Sequence, residues 1–380
     1  MKIKELKWGE MPGKKLLRNS IARKDFHLLL ILLKIGIKDR RMTVELVCKS
    51  RNISNKLPLN FKEEDRPFFE GLEYSTQEVY RIELDNVNVS YAGTIFSFLK
   101  TYFHSVKPYY KYKLGYIYTL YNLFFRKRSR VNEDLGYLLV FNNLCDCYYH
   151  WLTEAIPKLF LGKNDLKNAK IILPEGYKGF QIASLEPFGI NSEDVKYISS
   201  NTYLHVPHLI SFSPFGAEQH YNPKLFGEVR DFYINFYKSK DDYKPVGDRL
   251  YIKRKKTSIR QIKNEQEVIS FLAEYGFKDV FFEDLSFPEQ VFISYNAQCL
   301  VSIHGAGLTN IMFMKSGSKI LEFRKKGETG YLHYYNLASA LDLDYYYQFA
   351  DPVDETKSSK YADLNIDIEE LRKNVIQMLN

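Results

Sequence analysis

Cysteine is scarce in this 380-residue chain. There are four, and Cys145 and Cys147 stand too close for metal pairing without further ligands nearby. That excludes a disulfide framework and a recognisable zinc site, and it fits a reducing cytosol. Internal repeats, heptads and low-complexity runs are missing too, so neither a solenoid nor a coiled coil is expected. The apolar run between Asp25 and Ile37 is too short to span a bilayer comfortably and is interrupted by Lys34. No small-residue cleavage site follows it, so a transmembrane helix and a secretory signal are both set aside.

What is present is ordinary for a globular protein: 45% hydrophobic and 26% charged residues, in a chain long enough for two domains. The net charge of +8 is uneven, because residues 1–41 hold twelve Lys or Arg against four Asp or Glu and account for the whole excess. Basic residues flank the 26–37 apolar run, which reads either as an interfacial helix on an anionic membrane or as a buried helix. A second basic and aromatic stretch runs from Lys107 to Tyr116 and on through Arg126 to Arg130. No recognition motif accompanies this charge, so nucleic acid is not an expected partner.

Apolar alternation predicts strands near 79–91 and 94–98 and a fuller strand over 135–141, after which helices and strands alternate. Helices are expected over 148–161, 180–188 and 222–238, with strands over 169–173, 195–198 and 204–212. The polar, Pro- and Gly-bearing stretch 238–247 reads as a linker. Beyond it strands at 249–253, 279–282, 299–303 and 319–323 alternate with helices at 265–275, 287–295 and 307–314. That rhythm makes a parallel, Rossmann-like sheet whose ligand sits beyond the carboxyl ends of the strands. Ser286 and Glu289 have capping-box spacing.

His304-Gly-Ala-Gly-Leu-Thr-Asn310 turns tightly from a strand into a helix. Gly305 and Gly307 match the first two positions of a dinucleotide fingerprint, but Asn310 occupies the third, so the turn is either a phosphate cradle or a geometric necessity. Together with Tyr149-His-Trp-Leu-Thr-Glu-Ala-Ile-Pro-Lys-Leu159, Arg249-Leu-Tyr-Ile-Lys-Arg-Lys255, Arg260-Gln-Ile-Lys-Asn-Glu265, Leu285-Ser-Phe-Pro-Glu-Gln290 and Leu321-Glu-Phe323, it forms an ordered set that resembles glycosyltransferase family 61 over about residues 75–350. The resemblance implies a GT-B type α/β fold: two Rossmann-like domains facing across a cleft, with an additional N-terminal segment. It also implies inversion at the anomeric carbon without a required metal or cofactor. The boundaries that follow are a basic segment over 1–70, an acceptor-side domain over 71–243, a nucleotide-sugar domain over 244–350, and a C-terminal helix over 351–380 packing back on the first domain.

A departing nucleoside diphosphate needs fixed cations when no metal is present, and Arg254 and Arg260 bracket the loop after the first strand of the second domain. The competing reading is a solvated basic loop. His304, Gly305, Ala306, Gly307, Leu308, Thr309 and Asn310 form the expected phosphate turn, and Glu322 ends the next strand as a carboxylate for ribose hydroxyls. His304 is equally readable as a strand cap, and Glu322 as a partner of Arg324 or Lys325. Asp342-Leu-Asp344 is explained by a turn and gives no metal site. In the first domain His150, Glu154 and Lys158 recur every four residues along a helix, with Pro157 expected to kink it. His150 is the expected base with Glu154 as its orienting partner.

The expected activity is transfer of a sugar, from a UDP-sugar, to a polysaccharide or lipid-linked glycan at a cytoplasmic site peripheral to the inner face of the membrane. The alternatives are a non-catalytic polysaccharide-assembly factor and another nucleotide-sugar enzyme such as an epimerase, which would need bound NAD.

Overall fold

Approximate alternation of apolar and polar residues makes Val79–Ser90 and Thr202–Phe212 the two long strands of the first half, paired antiparallel from Arg81 with Phe212 to Ser90 with Tyr203. The computed structural model describes residues 4–5, 42–69, 72–97, 100–102, 120–132, 134–214, 219–238, 240, 243–255 and 260–380. The expected 26–37 helix and most of the basic 1–41 segment lie outside them. Among the described residues no helix is long and apolar enough to cross a membrane.

On one side of this long pair Gly136–Leu139, Ala169–Pro174 and Val195–Ile198 follow in parallel; on the other Met42–Cys48 adds an antiparallel strand. The first half is therefore Rossmann-like only in its parallel portion. The antiparallel strands arise because Val79–Ser90 turns straight back into Ile95–Ser97 with no crossover helix. Gly93 permits that turn: its φ is +76°, and a Cβ there would meet the Phe141 carbonyl oxygen at 2.6 Å.

The second sheet runs Lys278–Phe281, Arg249–Lys253, Cys299–Ile303, Lys319–Lys325, Asp344–Pro352, all parallel, with Leu364–Asn365 antiparallel at the edge. Its apolar runs are buried on both faces. Leu250, Ile252, Leu300 and Ile320 face one core while Tyr251, Val301 and Leu321 face another, which is why these strands read as continuous apolar stretches. Strand order reverses between Arg249–Lys253 and Cys299–Ile303, the place where such a sheet opens a crevice at its carboxyl edge.

Between the sheets lie the 148–161 helix, Pro223–Tyr237, Phe287–Asn296, the 3₁₀ helix Ala306–Phe313 and His333–Ala340, and their apolar faces join both sheets in one continuous core. The capping box opening Phe287–Asn296 is present, with Glu289 accepting from the Ser286 amide at 2.7 Å. Helices Glu265–Glu274 and Ile368–Leu379 cover the outer face of the second sheet. The C-terminal helix thus packs on the second half, not on the first sheet as the sequence suggested. The apolar face formed by Leu371, Val375 and Met378 finds its partners in Phe271 and Leu272 there.

Candidate functional site

The 148–161 helix is continuous but not uniform: Tyr148–His150 and Ile156–Leu161 are α-helical, and Trp151–Ala155 between them is a π turn. Pro157 has no amide hydrogen to give, and the Thr153 hydroxyl donates to the Tyr149 carbonyl at 2.7 Å. Such wide turns recur at functional sites. The polar row is not a wet face. Glu154 is 2% and Lys158 7% exposed.

A buried carboxylate is costly unless both oxygens are bonded. Those of Glu154 are: Asn142 Nδ2 donates to Oε2 at 2.8 Å, and His150 Nδ1 donates to Oε1 at 2.6 Å. Asn142 lies just past the end of Gly136–Leu139, so the loop from that strand fixes the carboxylate that fixes the imidazole.

Across the seam, His304 leaves the strand Cys299–Ile303 and donates from Nδ1 to Glu322 Oε1 at 2.5 Å, while the Tyr345 hydroxyl donates to Oε2 at 2.6 Å. Burial would raise the Glu322 carboxyl, but the charge and hydrogen bond of His304, then Arg324 and Tyr345, outweigh it and hold the group below the usual range. Glu322 is 1% exposed with both oxygens engaged. Its oxygens hold His304 and Tyr345, and neither forms a hydrogen bond or ion pair with Arg324 or Lys325 among the described residues.

The 304–310 turn divides likewise. Ala306 and Gly307 are partly exposed as the first two residues of a 3₁₀ helix, whose amides lack helical partners. Leu308, Thr309 and Asn310 are fully buried. Asn310 accepts from the Tyr148 hydroxyl at 2.6 Å and donates to Gln290 and to the Gly307 carbonyl, so it ties the halves together. A Cβ on Gly307 would meet Ile252 in the core, whereas one on Gly305 would meet Arg254 NH1 at 3.3 Å. Gly305 is thus the glycine that makes room for the cation.

Arg254 follows the strand Arg249–Lys253, and Arg260 donates to the His304 carbonyl at 3.1 Å. Neighbouring lysines are neutralised, Lys253 by Asp279 at 2.6 Å and Lys255 by Asp284. The arginines are not: Arg254 NH1 and Arg260 Nε are buried without a hydrogen-bond partner among the described residues. Burial, then the charge of Arg260, pushes the Arg254 guanidinium below its ordinary value, and burial does the same to Arg260. Two half-buried cations with no ion pair among the described residues, at the point where strand order reverses, can together hold an anion.

A chain of rings joins the two halves. Tyr149 stands 5.0 Å from both His150 and His333, and His333 stands 5.8 Å from His304. His333, Tyr149, Asn142 and Tyr345 escaped the sequence reading; the only signal was His333 and three polar or aromatic residues opening a helix just after Gly330. The His333 imidazole is pushed down to about 4, by burial first and then by His304, with a smaller contribution from His150.

In the unfolded chain this group titrates near 6.5, so between the two values the unfolded state binds the extra proton and stability is lost as pH falls through that window. Urea unfolding at pH 7 and pH 4.5 is expected to show a loss of about 2–3 kcal/mol from this group, absent in His333→Gln. An equal drop in both proteins would rule this out.

Residues 148–321, which hold the base candidate, both arginines and the glycine turn, match the family model Glycosyltransferase 61. Over that stretch the chain is similar to glycosyltransferase family 61. Curated relatives of this domain include the EGF domain-specific O-linked N-acetylglucosamine transferase of Drosophila melanogaster, 32% identical over 107 residues that make up 27% of this chain and 20% of that protein. The proteins of the same name from Gallus gallus and Bos taurus are 30% and 28% identical over 79 and 85 residues, covering 20% and 21% of this chain and 15% and 16% of theirs. The chain thus spans a fifth or less of the length of these relatives. Asp342, in the one Asp-x-Asp of the chain, adopts φ +57° in a turn and pairs with Lys56 and Ser316.

Proposed function

We propose that the chain is an inverting glycosyltransferase of GT-B type, taking a sugar from a UDP-sugar donor to a glycan or lipid-linked glycan acceptor. The observation that carries this reading is the pair Arg254 and Arg260, half-buried and without an ion pair among the described residues, across the seam from His150 and its buried carboxylate. In this reading the diphosphate lies against the two guanidiniums and the amides at the start of Ala306–Phe313. The acceptor oxygen attacks the anomeric carbon from the opposite face, the carbon–phosphate oxygen bond breaks, and the diphosphate departs with the bonding pair. The acceptor proton passes to the His150 imidazole, whose positive charge Glu154 stabilises. Neutralisation of the leaving group is assigned to the arginines, so no metal or cofactor is built into the proposal.

The relatives are named for N-acetylglucosamine transfer, which makes UDP-N-acetylglucosamine the first donor to try. A thermal-shift panel of nucleoside diphosphates, nucleotide sugars and NAD tests the proposal. A bound nucleotide at 100 times its Kd should stabilise the fold by about 2.7 kcal/mol. Stabilisation by UDP and a UDP-sugar, followed by transfer with inverted product configuration, is the expected result. A response to NAD alone would favour an epimerase. Nucleotide binding with no transfer to any glycan acceptor would favour an assembly factor.

A further inference from the structure

Residues 120–125 form a helical turn built inside out. Asn122 is 2% exposed, whereas Phe124 and Phe125 are 74% and 75% exposed and Tyr121 is 43% exposed. Single exposed apolar residues are common, but three aromatic rings grouped around a buried asparagine are not accounted for by packing among the described residues. The rings are ordered against one another: Tyr121 and Phe125, one turn apart, stack at 5.4 Å, and the Arg126 guanidinium lies 5.2 Å over Tyr121.

The strand Lys127–Arg130 follows at once, hydrogen-bonded in parallel to Thr202–His205, and its Lys127, Arg128 and Arg130 are exposed. Between residues 103 and 132 the sequence contains no Asp or Glu. Lys107, Lys111 and Lys113 add to the positive charge in the same stretch.

We propose that Tyr121, Phe124 and Phe125, with the cations Arg126 to Arg130, form a docking surface for an anionic lipid bilayer. Phenylalanine rings enter the boundary of the hydrocarbon, tyrosine rests at headgroup level, and lysine and arginine meet anionic headgroups. The absence of acid from the stretch supplies the charge complementarity. Bases of a single-stranded nucleic acid also stack on aromatics among cations, but they do so along a groove. Rings three-quarters exposed stand out from the surface, which suits insertion.

This surface is separate from the reaction. Lys127–Arg130 pairs with the amino end of Thr202–Phe212, while the loop leading to His150 leaves beside Ser211 near its carboxyl end. The six-residue rise from His205 to Ser211 places about 20 Å of strand between the two.

The test is flotation of the full chain with vesicles of phosphatidylcholine alone or with about 30% phosphatidylserine, at two salt concentrations. Binding should need the anionic lipid, weaken as salt rises, and fall about tenfold in Phe124→Ser with Phe125→Ser and again in Lys127→Glu with Arg128→Glu. Transfer to a soluble acceptor should stay unchanged in both. Phe124→Trp should be quenched by lipids brominated in their acyl chains, and its failure to quench would overturn the proposal. So would full vesicle binding by the double-serine variant, which would assign any membrane contact to another part of the chain. Binding to single-stranded RNA but not to vesicles would overturn it in favour of a nucleic-acid surface.

Discussion

His150→Ala is expected to lower sugar transfer by a factor on the order of a hundred or more while UDP affinity changes less than about twofold. The imidazole is the group placed to take the acceptor proton, and its orientation is not left to chance. Glu154 is locked by Asn142 on one oxygen and holds His150 Nδ1 on the other. Removing the imidazole leaves a buried carboxylate with a lost partner, so some stability should be lost too, and the unchanged UDP affinity is what shows that the second half is intact.

Glu154→Gln is the sharper control. An amide there offers one oxygen where both neighbours are donors, so it must give up either Asn142 or His150. Transfer should fall, because the imidazole loses either its orienting partner or the carboxylate that stabilises its positive charge as the proton arrives. Near-normal turnover in both variants would remove the His150 assignment and turn attention to His304, the imidazole held by Glu322.

Arg254→Met is expected to do two opposite things. UDP binding should weaken by about 1–3 kcal/mol, the range for charge-assisted hydrogen bonds. In the absence of nucleotide the fold should become no less stable, and by about 1 kcal/mol more stable, because a desolvated guanidinium with an unpartnered NH1 beside a second cation is replaced by an apolar chain of similar length. Paired urea unfolding and calorimetric titration measure both. A structural arginine would lose stability and leave binding alone, the reverse pattern. Gly305→Val should give the binding loss without the gain, since its side chain would press on Arg254. Gly307→Val should act instead through packing on Ile252.

Much of the scaffold was legible in the chain. Val195–Ile198, Arg249–Lys253 and Cys299–Ile303 fall on the predicted bounds, and the Ser286 capping box lies where its spacing placed it. These features are local: periodicity and a three-residue spacing act within one element, so no distant contact can reverse them. The first strands were harder. Met42–Cys48 and Lys127–Arg130 take their places only by pairing with Val79–Ser90 and Thr202–Phe212, partners that are remote in the sequence.

The sequence by itself determined the alternation of strands and helices, the parallel second sheet, the family motifs, and the candidates His150, Glu154, Arg254 and Arg260. Only the tertiary structure decided what each polar group does. Glu322 and Asn310 were expected as ligand contacts, and only the structure shows that Tyr345 and Tyr148, from distant parts of the chain, are bonded to them. Arg254 and Arg260 were readable either as cations for a diphosphate or as a solvated basic loop, and only the structure shows the lysines beside them ion-paired and the arginines without an ion pair among the described residues. Backbone pattern follows from near neighbours, but whether a buried charge is satisfied depends on which remote residues fold against it.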